Sequence, residues 1–199
     1  MDRVIVEAGK RLVLRGGASF TTQELVKEAG VAIKTFYRHF PGKDQLLLAV
    51  IEDIVTEQVA RYRERTREVA DPLARLRLHV LAALSSVGAG AAWPPTSTSR
   101  FIVAEHWRLA ELYPAEIEQA TQPFVGLLAD EIRAARAAGR IAPPADVDPT
   151  AEMMNLLVRA VFHQYAFAPD PEAGADIGET TWEFCLAGLG VTTAGASNR

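Results

Sequence analysis

Residues 20–40 read Phe-Thr-Thr-Gln-Glu-Leu-Val-Lys-Glu-Ala-Gly-Val-Ala-Ile-Lys-Thr-Phe-Tyr-Arg-His-Phe, a capped helix, a turn and a second short helix in one run. Thr21 offers a side-chain cap, Glu24 stands three residues on as in a capping box, and Phe20 and Leu25 take the hydrophobic-staple positions. Gly30 supplies the left-handed turn that ends the first helix at Ala29. The second helix spans Ile33–His39 and stops before Pro41-Gly42. Leu25, Ala29 and Val31 point inward with Phe36 and Phe40, which lie four apart on one face. Lys34, Thr35 and Arg38 are left on the opposite face, with Ile33 and Tyr37 on its flank.

The rest of the chain continues in helical period. Val4, Ile5, Ala8 and Leu12 predict a first helix over residues 2–15, stopped by Gly16-Gly17. Leu47, Val50, Ile51, Ile54, Val55, Val59 and Tyr62 line one side of a long helix from Lys43 to about Glu68. Asp71-Pro72 is an N-cap followed by proline at the first helical position, opening a helix that ends near Ser86. Gly88 to Ser99 reads as a loop. Further helices are expected at about Arg100–Leu112 and at Ala115–Ala138, the latter broken or kinked at Pro123. Gly139 to Asp148 is a connection, Asp148-Pro149 opens the next helix, and the last covers roughly Ala173–Leu189 before a frayed Thr192–Arg199. Alanine fills 33 positions and no segment alternates as a strand would. The chain is all-α, with about nine helices.

Charge separates along the chain. Its 199 residues carry a net charge of −4, yet residues 1–50 are net +3 and the remainder net −7. A basic head on an acidic body suits a protein that meets a polyanion at one end. The single Cys185 excludes an internal disulfide and a cysteine-rich zinc site, and reads as a packed thiol. His79, His106 and His163 with Glu105 fit no metal-ligand spacing, so no metal and no cofactor are expected. Nucleophile elbow, phosphate loop and paired-carboxylate patterns are absent, which argues against an enzyme. The N-terminal stretch does not read as a signal peptide and Val80–Ser99 is too polar to span a membrane, so the expected compartment is the cytoplasm.

Thr21-Thr22, Ala29-Gly30-Val31, Thr35-Phe36-Tyr37-Arg38-His39-Phe40, Lys43 and Leu46-Leu47 together resemble the tetracycline-repressor (TetR) family of bacterial transcription regulators. The resemblance covers about residues 4–55. It implies a three-helix helix-turn-helix DNA-binding domain over 1–46, with its motif at 21–40, and a helical ligand-binding and dimerisation domain over 47–199. It implies that Thr22, Tyr37 and Lys43 hold the DNA backbone. Lys34 and Thr35 are candidates for reading bases, Ile33 for touching a thymine methyl, and Arg38 and His39 for sitting beside phosphates. Ala32 stands where the family usually has Ser or Thr, so the second helix of the motif is expected to lack its side-chain cap. No basic arm precedes the first helix in this sequence.

In the family the C-terminal part binds an inducer. Here Val55, Gln58, Tyr62, Phe101, His106, Trp107, Phe124, Asn155 and Phe162 are the candidates for a mostly apolar pocket, although any single aromatic serves as readily in the core. The ligand class is a hydrophobic or amphipathic small molecule. Met153, Leu156, Leu157, Ala160, Trp182, Cys185, Leu186 and Leu189 recur at three- and four-residue spacing on the last two helices. The resemblance makes these the dimer interface, a four-helix bundle across a two-fold axis. The expected partners are a double-stranded operator, a second copy of the chain and the small ligand, with no membrane. The expected function is a ligand-responsive repressor that binds an inverted repeat as a homodimer; a helical carrier of lipophilic molecules without DNA binding is the alternative.

Overall fold

The computed structural model describes residues 1–85, 87, 97–141, 146–167 and 176–191. Among them are nine α-helices: α1 Asp2–Gly16, α2 Thr22–Ala29, α3 Ile33–His39, α4 Lys43–Arg65, α5 Pro72–Leu84, α6 Ser97–Leu112, α7 Pro114–Ala137, α8 Val147–Ala166 and α9 Ile177–Gly188. A 3-10 turn at Gly17–Ser19 joins α1 to α2. An isolated antiparallel bridge, Ile141 with Val191, is the one β-type pairing among the described residues. Of the expected loop Gly88 to Ser99, residues 88–96 lie outside the described residues, as do the Pro143-Pro144 connection, residues 173–175 and the 192–199 tail, and the loop's last three residues open α6 instead.

Two compact units make up the chain: Met1–Val59 with Pro94–Pro123, and Ala60–Trp93 with Phe124–Arg199. In the first, α1 packs on α2 and α6 around Ile5, Ala8, Val13, Leu25, Phe36, Leu46, Val50 and Ile51, with Phe101, Leu109 and Ile117 completing the core. Gly9 permits the approach of α1 to α4: a Cβ there would meet Val50 Cγ2 at 3.0 Å. Ion pairs fix the same crossing from outside. Lys10 Nζ lies 2.6 Å from both Asp53 and Glu57, and Arg11 and Arg15 of α1 hold Glu28 of α2 at 2.7 and 3.0 Å. Burial works against the Lys10 charge, but Asp53 and Glu57 outweigh it and raise its pKa. Arg108 of α6 reaches Asp44 at the start of α4, 2.7 Å away.

In the second unit α5 packs on α8 and α9, and α8 on α9. Leu76, Val80, Leu84, Leu128, Ile132, Met154, Val158 and Trp182 fill its core. The start of α5 follows the sequence: Asp71 Oδ1 accepts from the Leu73 amide at 3.2 Å, and Pro72 sits in the first turn. Helix α8 begins before the expected Asp148-Pro149, at Val147 after Asp146. Proline is tolerated there because first-turn amides have no intrahelical acceptor. Of the break or kink expected at Pro123, the break does not occur: α7 runs from Pro114 to Ala137 with Pro123 inside it. Ala120 before the proline and Leu127 and Leu128 after it are buried. That burial outweighs one missing backbone bond.

Candidate DNA-binding surface

The start of α2 is fixed by reciprocal bonds. The Glu24 amide donates to Thr21 Oγ1 at 3.2 Å, and the Thr21 amide and hydroxyl donate to Glu24 Oε2 at 2.7 and 2.9 Å. Those donors at Thr21 hold the Glu24 carboxyl below its ordinary pKa. Gly30 ends α2 at φ 66°, a left-handed conformation that favours glycine, and the Val31 amide returns to the Val26 carbonyl at 3.0 Å. Ala32 then precedes α3 without a side-chain cap.

Helix α3 stands on two aromatic residues. Phe36 and Phe40 are buried and stacked, with centroids 6.0 Å apart, and Phe36 meets the Tyr37 ring edge-on at 5.1 Å. This seat turns Ile33, Lys34, Tyr37 and Arg38 to solvent and leaves Thr35 and Thr22 half-buried. Tyr37 is 55% exposed, which is far more than a core tyrosine shows. Two of the expected DNA residues have further partners. Lys43, the first residue of α4, donates to the carbonyls of Ala18 and Phe20. His39 is half-buried; its Nδ1 faces the Asp2 carboxylate of α1 and its buried Nε2 has no hydrogen-bond partner. Nothing in the local sequence pairs His39 with Asp2.

Of the pocket candidates, Val55, Gln58, Phe101, His106 and Trp107 belong to the first unit and Tyr62, Phe124, Asn155 and Phe162 to the second. Phe101 is core and Trp107 is exposed. Tyr62 and Phe124 meet edge-on, with centroids 6.4 Å apart. On α8, Met153, Leu156 and Ala160 are exposed and Leu157 is half-buried. On α9 the expected stripe divides by burial in the single chain. Trp182, Cys185 and Leu189 are buried within the chain's own core, while Leu186 is half-buried and Phe184 is 72% exposed. Burial pushes the Cys185 thiol up to about 11, which suits a packed residue. Among the described residues, Glu7, Asp53 and Glu57 are grouped closely enough to hold a cation, but the Lys10 ammonium bonds two of them and lies 3.6 Å from the third.

A capped α2, a glycine turn and a short α3 on a buried aromatic seat define a helix-turn-helix protein with a helical body. Residues 5–50 match the family of bacterial regulatory proteins, tetR family. Over this N-terminal segment, about a quarter of the chain, it is similar to that family. It is 37% identical over 57 residues to YvaF, an uncharacterised HTH-type transcriptional regulator of Bacillus subtilis strain 168, covering 29% of this chain and 30% of that protein. It is 36% identical over 66 residues to the nucleoid occlusion factor SlmA of Escherichia coli O1:K1 / APEC, covering 33% of each. The match thus spans about a third of the length of these relatives. The fold of the whole chain is similar to that of the Bacillus subtilis transcriptional regulator FadR, solved in complex with stearoyl-CoA. The TM-score is 0.70 at 18% identity, over 94% of this chain and 98% of that one.

Proposed function

We propose that the chain is a ligand-responsive transcriptional repressor that binds an inverted-repeat operator as a homodimer and is released by a hydrophobic or amphipathic small molecule. The observation that carries this reading is the outer face of α3, where Ile33, Lys34, Tyr37 and Arg38 are exposed above buried Phe36 and Phe40. A short helix with such a face enters a major groove and reaches base edges, while hydroxyl and ammonium groups beside it fix the register on phosphates. Residues 1–46 form the DNA-binding domain. Thr22, Tyr37 and Lys43 hold the backbone, Lys34, Thr35 and Ile33 read bases, and Arg38 and His39 lie beside phosphates.

Residues 47–199 bind the ligand and the second subunit. The exposed Met153, Leu156, Ala160 and Phe184, with Leu157 and Leu186 beside them, are the surface for a second copy. FadR, whose fold is similar, was solved with an acyl-CoA, which supports a ligand with an apolar body. Helix α4 begins at Lys43 and carries both Val55 and Tyr62, so a ligand that tilts it changes the spacing of the two α3 faces in the dimer. The protein works in the cytoplasm and catalyses no reaction. The test is a titration of lipophilic compounds against protein bound to its selected operator. A compound that releases the DNA supports the reading. Tight binding of such compounds by a protein that retains no DNA under any condition would replace it with a carrier.

A further inference from the structure

In the second unit the end of α4 and the face of α5 enclose a small cavity of about 60 Å³, lined by Tyr62, Arg65, Thr66, Leu78, His79 and Ala82. Its hydroxyl protons are already used. Tyr62 Oη donates to the Ala82 carbonyl at 3.3 Å, and Thr66 Oγ1 donates to the carbonyls of Tyr62 and Arg63 at 3.0 and 3.3 Å. Burial raises the Tyr62 pKa, so its phenol stays protonated. Both oxygens therefore offer lone pairs to the cavity.

His79 is fully buried, and neither of its ring nitrogens has a hydrogen-bond partner. Its Nε2 faces Glu131 Oε1 at 3.5 Å. Arg75, anchored on the carbonyls of Val69 and Ala70, grips the other oxygen of Glu131 at 2.8 Å. Burial alone would raise the Glu131 pKa, but His79 and Arg75 outweigh it and keep the carboxyl below its ordinary range. A lasting anion beside Nε2 places the imidazole proton there and leaves Nδ1 as an acceptor.

The residues that line the cavity thus carry three acceptors, His79 Nδ1, Tyr62 Oη and Thr66 Oγ1, with no buried side-chain donor left over among them. A carboxylate brings only acceptors and would leave His79 unpaired. An ammonium would face Arg65. Resting on the ligand-responsive reading above, we infer that this cavity is the polar end of the effector site and takes the hydroxyl of a neutral alcohol or phenol, which donates to His79 Nδ1. A ring fills a cavity of about 150 Å³, so only the hydroxyl end enters, and the apolar body lies toward Leu78, which is 37% exposed.

The experiment uses the full chain and four probes of similar size, phenol, benzoate, benzylamine and toluene, with the imidazole nitrogens followed by NMR at pH 7. The expected result is a neutral His79 protonated at Nε2, a shift of Nδ1 on adding phenol, and phenol binding about tenfold tighter than the other three. Thr66→Val and His79→Phe should each erase that preference, and Thr66→Val keeps the comparison open if the second variant does not fold. An imidazolium, a proton on Nδ1, tighter binding of benzoate, or four probes that leave His79 unmoved would each overturn the inference. A lipophilic compound that releases operator equally from wild type and His79→Phe would overturn it too, while leaving the ligand-responsive reading intact.

Discussion

Lys43 Nζ lies 2.6 Å from the Phe20 carbonyl oxygen and 4.6 Å from the centroid of the Phe20 ring. The first residue of α4 is therefore bonded to the residue that leads into α2, one position before the Thr21 cap. Lys43→Ala should lower stability by about 1 kcal/mol and weaken binding to every DNA sequence alike. A urea melt and a salt titration on specific and random duplexes check this together. If Lys43 also neutralises a phosphate, the salt slope falls by about one for each subunit.

The caps of α2 and α3 give a paired prediction. Thr21→Ala removes the acceptor for the Glu24 amide and should cost about 1 kcal/mol, whereas Ala32→Ser supplies the cap that α3 lacks and should stabilise by a similar amount. Denaturant midpoints of the two variants should move in opposite directions from wild type.

Acid should expose the Arg75–Glu131–His79 cluster. The folded-state pKa of Glu131 lies below its ordinary value, so the stability from this carboxylate is fully present above the ordinary value and is lost as pH falls through the lowered one. Glu131→Gln should therefore be less stable than wild type by about 1–3 kcal/mol at pH 7. The gap should close as the pH drops below the ordinary carboxylate range. Thermal melts at several pH values measure it.

Assembly separates two kinds of residue on α9. Phe184→Glu places a charge on an exposed apolar side chain and should yield folded monomers that lose the operator. Trp182→Ala empties a buried site and should cost about 3–5 kcal/mol of fold stability. Sedimentation and circular dichroism on both variants separate the effects.

How far the sequence reaches can be seen at particular residues. The limits of α3, Ile33–His39, were legible because Gly30 and Pro41-Gly42 punctuate the chain on either side and Phe36 and Phe40 set its inner face. Asp71-Pro72 and the Thr21–Glu24 box were legible for the same local reason. At Pro123 a break or kink was expected, and of the two the helix shows no break, with Ala120, Leu127 and Leu128 buried on either side. On α9 the spacing of Trp182, Cys185 and Leu189 revealed an apolar stripe but not what it faces, and the exposed Phe184 lay outside the pattern. Lys43 and His39 read only as phosphate contacts, because the carbonyls of Ala18 and Phe20 and the carboxylate of Asp2 come close only in the fold. The His79–Glu131 contact joins α5 to α7, and no spacing announces it.

Operator recognition by the α3 face is tested most directly by selecting bound sequences from random duplex DNA with wild type and with Lys34→Ala. Wild type should enrich an inverted repeat whose half-sites lie on one face of the duplex, about 34–36 Å apart or a multiple. Lys34→Ala should shift the preferred bases inside the half-sites and leave the spacing unchanged. Enrichment of no sequence by wild type, or an unaltered half-site with Lys34→Ala and with the matching Thr35→Ala and Ile33→Ala selections, would contradict the account.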